Sequence, residues 1–489
     1  MIRTSQSHPL SIADIHIAEG FGRIGVTFCP GKKDAGAMTG AWDRDLDLDA
    51  QAIADWGAAA VVTLIEDHEF KLLEVNRLGD AIRERHMDWL HLPIRDVSVP
   101  GPEFEAQWRT AGEGLRARLR DGFDVVVHCR GGLGRAGTIA ARLLVELGFQ
   151  PDDAIDKVRR RRPGAIETAA QERYIRLIRP AETMKPATTP AAIQDRACGA
   201  LLGLAAGDAV GTTLEFLPRD DRASRLTDMV GGGPFNLNPG EWTDDTAMAL
   251  ALADSLLQEG FDPKDLMDRF VLWRDHGKYS CTGNCFDVGI TVASALDRYM
   301  ATGNPIAGST DPFKAGNGSL MRLAPVAIKY WNNAEARRAI ASLQCRTTHG
   351  AAEVVEACIL FADILAEAIA GAPRNEVLRP RAGDYSGKIS DIAAGGWRGK
   401  SRSAIRGSGY VVHSLEAALW CVGRTDNFRD AVLLAANLQE DADTTAAITG
   451  QLAGALYGAE SIPAEWTSKL AGAEKICAIG QRLFNRLSA

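Results

Sequence analysis

Cys129 and Arg135 stand at the two ends of one short segment, HCRGGLGR, with Arg130, Gly131, Gly132, Leu133 and Gly134 between them. A glycine-rich turn leading from a strand into a helix lets several backbone N–H groups converge on one anion, and the helix N-terminus adds positive potential. The same field favours the thiolate of Cys129, the nucleophilic form of the side chain. Arg135 offers a planar, permanently charged fork that matches two phosphoryl oxygens. Glycines 131, 132 and 134 let the backbone approach a phosphate without Cβ clashes. The chemistry such a loop can do is nucleophilic attack on a phosphate ester.

A second set of residues suggests different chemistry. Thr243, Asp244 and Asp245 precede one apolar helical run, and Asp441, Asp443 and Thr444, within EDADTT, precede another. Taken singly, Asp and Thr at such places are ordinary helix caps. Taken together, they can meet across a helical bundle. Five or six hard oxygen ligands suit two Mg²⁺ or Mn²⁺ ions held about 4 Å apart. Neither cluster contains Cys or His, which disfavours softer metals. Cys281 and Cys285 in CTGNC offer only a weak zinc reading.

The elements that must position these groups differ between the two halves. AAAVVTLI (58–65), WLHLPI (89–94) and DVVVHC (124–129) read as buried strands, and EFEAQWRTAGEGLRARLR and IAARLLVEL read as helices. Such alternation implies a parallel sheet with helices on its faces. RPAETMKPATTP has linker composition. Beyond it the chain is rich in Ala, Leu and Gly with long helical patterns and no evident internal repeat. The expected organisation is an α/β domain over 1–182, a linker over 183–192 and an all-α domain over 193–489.

A length of 489 residues exceeds one ordinary core. The net charge of −8 argues against a nucleic-acid partner. No apolar run reads as a secretory signal or a membrane span. Nine scattered cysteines do not form a disulfide framework. A cytoplasmic location, with neither membrane nor nucleic acid as partner, is the expectation.

Residues 10–180 resemble the dual-specificity cysteine phosphatases. HC-x-GGLGR together with PGAIETAAQERYI (163–175) is similar to the cyclin-dependent-kinase-associated subgroup. The resemblance implies a cysteinyl-phosphate route with no cofactor: Cys129 as nucleophile, residues 130–135 as the phosphate cradle, and Asp96 in LPIRDVSVP as general acid. It also points to Gln171 as a water-positioning residue, beside the plainer reading of a capping glutamine. One departure stands out. The position after the loop arginine, ordinarily Ser or Thr in that family, is Ala136, with Thr138 two residues on. Slower hydrolysis of the phosphoenzyme follows.

Residues 195–480 resemble the ADP-ribosylglycohydrolases. The motifs run in order: GALLGLAAGDAVGTTLEF (199–216), GEWTDDTAMALALADSL (240–256), CFDVGITVASAL (285–296), GNGSLMRLAPVAI (316–328), THG (348–350) and NLQEDADTTAAITGQLAGALYG (437–458). By that likeness Thr243, Asp244, Asp245, Asp441, Asp443 and Thr444 ligate a binuclear magnesium or manganese centre, and Glu215 belongs to the loop over the substrate ribose. Asp287 is the further carboxylate that could act as base, since glycosidic cleavage passes through an oxocarbenium-like transition state. Asn317, Gly318 and Ser319 shape the substrate pocket, and His349 is either a substrate contact or a packed core histidine. Ile290 stands where some members carry Asn.

The combined expectation is a bifunctional hydrolase acting on an ADP-ribosylated or phosphorylated protein or small molecule, with arginine the favoured ADP-ribose acceptor. Two alternatives stay open: a phosphate-reading module without turnover in the first half, and a hydrolase of free ADP-ribosyl metabolites in the second. The run Arg159–Arg162 reads as a solvated helix end or as an attractor of anionic substrates.

Overall fold

Buried β-branched runs build the first unit around one sheet. The computed structural model describes residues 2–37, 40–182, 185–219 and 225–485. These fall into two compact units, Met1–Thr183 and Met184–Ala489. In the first, β1 (Ala13–His16), β2 (Arg23–Phe28), β5 (Ala58–Thr63), β6 (Asp88–His91) and β7 (Asp124–Cys129) form a sheet in the order β1-β2-β7-β5-β6. Only β1 is antiparallel to its neighbour. The short strands β3 (Lys33–Asp34) and β4 (Trp42–Asp43) pair separately.

The near-continuous apolar character of β5 and β7 follows from cover on both faces. Ile24, Val26, Val125 and Val127 point into one core with Phe104, Leu115, Ile139 and Leu143. Ala58, Val61 and Val126 point into the other with Ile53, Leu78 and Ile82. Seven helices supply that cover: α1 (Leu46–Trp56), α2 (Asp67–Leu72), α3 (Leu78–Arg83), α4 (Pro102–Arg120), α5 (Gly134–Glu146), α6 (Pro151–Arg161) and α7 (Ala169–Leu177). All of α5 is buried. β6 is an edge strand ending at His91, and Pro93 falls between Leu92 and Ile94, whose N–H groups donate to Thr63 O and Leu64 O, so its missing N–H costs no bond to β5.

The second unit is helical. Its first helix, α8 (Pro190–Gly211), is capped by Thr189, whose hydroxyl accepts from Ala192 N. The last three residues of the expected linker are therefore its first turn, and residues 183 and 184 of that linker lie outside the described residues. α8 packs against the Ala442–Tyr457 helix at unusually close range. Glycines 199, 203, 207 and 211 face Gly454, Gly450, Ala446 and Ala442. A Cβ built on each would lie only 2.2–2.3 Å from the facing carbonyl oxygen. Only a glycine at each of these steps lets the two backbones meet. By length and composition Pro190–Leu214 could cross a bilayer, and 94% of its most apolar window is buried within the protein.

All nine cysteines are free thiols. Cys281 Sγ donates to Trp242 O at 3.1 Å. Among the described residues, neither Cys281 nor Cys285 belongs to a metal-capable cluster.

Candidate active sites

β7 ends in mid-sheet at Cys129, and the chain turns through the glycines straight into α5, so the loop sits at the carboxyl edge of the parallel strands. Gly132 adopts φ +70, and a Cβ there would sit 2.5 Å from Thr27 backbone atoms, so only glycine serves. Gly132 N donates to Cys129 Sγ at 3.2 Å. Arg135 folds back beneath the loop and is almost wholly buried. Its guanidinium forms a two-point pair with Glu69, at 2.6 and 3.0 Å, and donates to Ile94 O at 3.1 Å. Asp96 Oδ1 lies 3.0 Å from Arg135 Nη2, which brings the expected acid to the expected clamp.

Glu69 is absent from the sequence reading. Its own backbone role gave the available signal: as residue N3 of α2 it accepts from Glu66 N at 2.8 Å in a capping box. Burial works against ionisation of Glu69, but the Arg135 bonds and the Glu66 N–H hold its carboxyl below the usual range. Gln171 takes the capping role. It is buried, accepts from Glu167 N and Thr168 N, and donates to Ser98 O at 3.2 Å, tethering the loop beyond Asp96. Thr138 Oγ1 donates to Gly134 O at 2.7 Å, so its hydroxyl is committed to the helix backbone and does not replace the one missing at Ala136. Arg130 turns its side chain outward to Asp34 at 3.0 Å.

In the second unit the glycine contact brings the end of α8 to the start of the Ala442–Tyr457 helix, and α9 (Asp244–Leu256) begins beside both. Asp208 on α8, also missed from sequence because it lies inside an apolar run, organises the junction. Its Oδ1 accepts from Thr243 N and Oγ1, both at 2.9 Å. Its Oδ2 accepts from Thr246 N at 3.0 Å and Oγ1 at 2.6 Å. Thr243 Oγ1 then reaches Asp443 Oδ2 at 3.3 Å, and Thr444 Oγ1 reaches Asp245 Oδ2 at 3.3 Å. The two acidic clusters therefore meet.

Carboxylate oxygens of Asp208, Asp245 and Asp443 lie within 4.8 Å of one another, as do those of Glu215, Asp287 and Asp443. Burial first, and the neighbouring acids second, push Asp244, Asp245 and Asp443 well above the usual carboxylate range. The same causes raise Glu215 to about 9, and Asp287 to about 7. Asp245 Oδ1 and Glu215 Oε2 are buried with no hydrogen-bond partner. Crowded acids with orphaned oxygens fit divalent cations, which supply the missing ligand and the missing charge.

Asn317 joins the cluster through its side chain, donating to Asp441 Oδ2 at 2.7 Å and to Ser414 Oγ at 2.8 Å. Gly318 lies under His349, whose Nε2 would sit 3.3 Å from a Cβ there. Ser319 does not join. Its hydroxyl is buried against Cys345 Sγ at 3.1 Å and Cys358 Sγ at 3.5 Å, on the core side of the turn. Ile290 is 87% exposed. A groove of about 610 Å³ adjoins the cluster at Gly316 and Gly409, lined by Phe313, Tyr410, Lys388 and Glu353, none of which the sequence singles out.

Comparison with known proteins decides between families. Residues 189–489 match the ADP-ribosylglycohydrolase model. The chain belongs to the ADP-ribosylglycohydrolase family. Residues 36–175 match a second model, described as the DSP-PTPase phosphatase domain of Swiss Army Knife proteins. The glycohydrolase part is 50% identical over 299 residues to ADP-ribosylarginine hydrolase Tri1 of Pseudomonas putida, covering 61% of this chain and 80% of that protein. It is 34% identical over 289 residues to the ADP-ribosyl-[dinitrogen reductase] glycohydrolase of Rhodospirillum rubrum, covering 58% of this chain and 92% of that one. A solved structure titled as an ADP-ribosylglycohydrolase-related protein complex is 42% identical, with a TM-score of 0.54, covering 61% of this chain and 99% of that chain. This glycohydrolase thus carries a phosphatase domain ahead of its catalytic unit.

Proposed function

We propose that the chain is a bifunctional hydrolase: it removes ADP-ribose from modified arginine side chains and hydrolyses phosphomonoesters through a cysteinyl-phosphate. The observation that carries the first activity is the convergence of Thr243–Asp245 and Asp441–Thr444 on one buried, oxygen-orphaned cluster. The 50% identity to a protein named as an ADP-ribosylarginine hydrolase supports arginine as the acceptor.

Two Mg²⁺ or Mn²⁺ ions fit this donor set, with Thr243, Asp244, Asp245, Asp441, Asp443 and Thr444 to hold them. When bound, such ions orient ribose hydroxyls and activate water. Asp208 holds Thr243 and the first turn of α9 in place. Asn317 fixes Asp441. Glu215 and Asp287 gather around Asp443, and Asp287, the less buried of the two, is the carboxylate suited to take a proton from water during attack at the anomeric carbon. The groove between Phe313 and Tyr410 offers aromatic faces for a flat base. ADP-ribose release from an arginine-modified protein, with and without EDTA, tests the reading. Release by Asp443→Ala at the wild-type rate would reject it.

In the first unit, Cys129 Sγ attacks phosphorus, Arg135 holds the equatorial oxygens, and Asp96 protonates the leaving oxygen. Water then cleaves the S–P bond. A second reading, a phosphate-binding module with little turnover, is favoured by one observation: Thr138 Oγ1 is committed to Gly134 O and Ala136 has no hydroxyl. Vanadate-sensitive hydrolysis of an aryl phosphate, lost in Cys129→Ser, would separate the two.

A further inference from the structure

Three consecutive carbonyl groups of the loop after Cys129 are held by two cationic side chains from elsewhere in the first unit. Lys32 Nζ donates to Arg130 O at 3.3 Å, where Cys29 N also donates at 3.4 Å. Arg162, just beyond α6, donates from Nη2 to Gly131 O at 3.2 Å and from Nε to Gly132 O at 3.0 Å. A planar trans peptide sets its N–H opposite its C=O, and no cis peptide occurs among the described residues. Drawing these three oxygens to the outer side of the loop therefore turns the N–H groups of Gly131, Gly132 and Leu133 to the inner side. Gly132 N obeys, reaching Cys129 Sγ at 3.2 Å.

The environment of the two cations fits this task. Lys32 is 5% exposed, with Nζ 5.0 Å from the Phe28 ring centre and 4.9 Å from that of Trp42. The acid whose charge it feels, Asp34, is bonded to Arg130. A buried ammonium without its own carboxylate is costly unless other groups take up its protons and its charge. A loop carbonyl and an anion in the cradle do both. The arginine run is likewise divided in its labour. Arg159 bonds Ala165 O and Ile166 O, shaping the turn before α7, while Arg162 alone of the four reaches the phosphate loop.

We propose that Lys32 and Arg162 are positioning residues that clamp the loop carbonyls outward, presetting three N–H groups to receive a tetrahedral oxyanion at Cys129. The clamp acts through the backbone and touches no substrate. It rests on the reading of the first unit as a phosphoryl-binding site.

The test is tungstate binding, by titration calorimetry, to the full-length chain carrying Cys129→Ser. Adding Arg162→Met or Lys32→Met weakens binding about tenfold, the scale of one lost charge-assisted hydrogen bond, with the thermal midpoint and near-ultraviolet circular dichroism retained. Arg162→Lys keeps the charge but not the fork, and falls between Met and the parent. Should the buried Lys32→Met unfold the unit, Arg162→Met, at a half-buried position, carries the test alone. Folded Met variants that bind as tightly as the parent would overturn the clamp. Arg162→Lys equal to the parent would also overturn it, assigning the effect to charge alone. A parent that binds no tungstate would overturn the phosphate-site reading and the clamp with it.

Discussion

Arg135 and Glu69 form a two-point ion pair, at 2.6 and 3.0 Å, in which both side chains are all but removed from solvent. The guanidinium is thus aimed before any phosphate arrives. Two bonds to one carboxylate fix its plane as well as its position. Glu69→Gln keeps the shape and removes the charge. It should lower kcat/KM for an aryl phosphate by about 100-fold, the scale of a small misplacement of a binding group. It should also cost about 3 kcal/mol of stability, because a buried arginine loses its buried counter-charge and keeps only the more exposed Asp96. Steady-state kinetics beside urea unfolding would check both, and an unchanged kcat/KM would remove Glu69 from the site.

The proposed metal centre predicts a stability that depends on divalent cations. A ligand at 1,000 times its dissociation constant stabilises the folded state by about 4 kcal/mol. Mg²⁺ or Mn²⁺ should raise the midpoint of the second unit's unfolding, and EDTA should lower it. Asp245→Asn, at an oxygen with no protein partner, should largely abolish the difference. Identical melting curves with metal and with EDTA would count against a metal centre.

Ala136→Ser would restore a hydroxyl beside the loop, where Thr138 Oγ1 is held by Gly134 O. The wild-type chain should show a burst of phenol release from an aryl phosphate followed by slow turnover, and the variant a faster second phase. Rapid-quench measurement decides. A wild-type steady state at full rate without a burst contradicts the expectation.

His128, one residue before the nucleophile, is held to about 3 by burial, against about 6.5 in an unfolded chain. Between those values the unfolded chain binds the extra proton and the folded one does not, so stability falls as pH drops below about 6.5 and is flat above it. At pH 5 the loss from this group is about 2 kcal/mol. Thermal unfolding of His128→Asn at pH 7.5 and 5.0 should show a shallower pH dependence than wild type. An equal slope in both proteins would show that other groups carry the acid sensitivity.

Gly203→Ala places a methyl 2.3 Å from Gly450 O. Alanine gains up to about 1 kcal/mol in helix propensity, but forcing two backbones apart costs about 1–3 kcal/mol. The contact should win, lowering the urea midpoint of the second unit. A raised midpoint would mean that the helices separate without penalty.

What could be read from the residues alone followed their separation in the chain. The loop from Cys129 to Arg135 is contiguous, so its strand, turn and helix were legible together, and the two acidic clusters showed as caps. Glu69 was hidden because its partner Arg135 is 66 positions away. Asp208 was hidden because its surroundings read as core. Ser319 was assigned to the pocket by adjacency to Asn317 and Gly318, yet the backbone turn sends its hydroxyl to the cysteines of the core. The four-residue spacing of glycines in α8 registered as composition only. Its meaning needs the matching small residues of the Ala442–Tyr457 helix, far along the chain.

That same pairing sets the order in which the glycohydrolase can be made. A helix with four glycines on one face is weak by itself, and the helix that meets those glycines backbone to backbone lies near the other end of the unit. During synthesis α8 emerges early and waits, its glycine face uncovered, until most of the unit has left the ribosome. The buried acids of the cluster are assembled by the same pairing, because Asp208 and Asp443 ride on these two helices. An incomplete chain ending before residue 442 would therefore offer proteases and chaperones an open helix and no active centre.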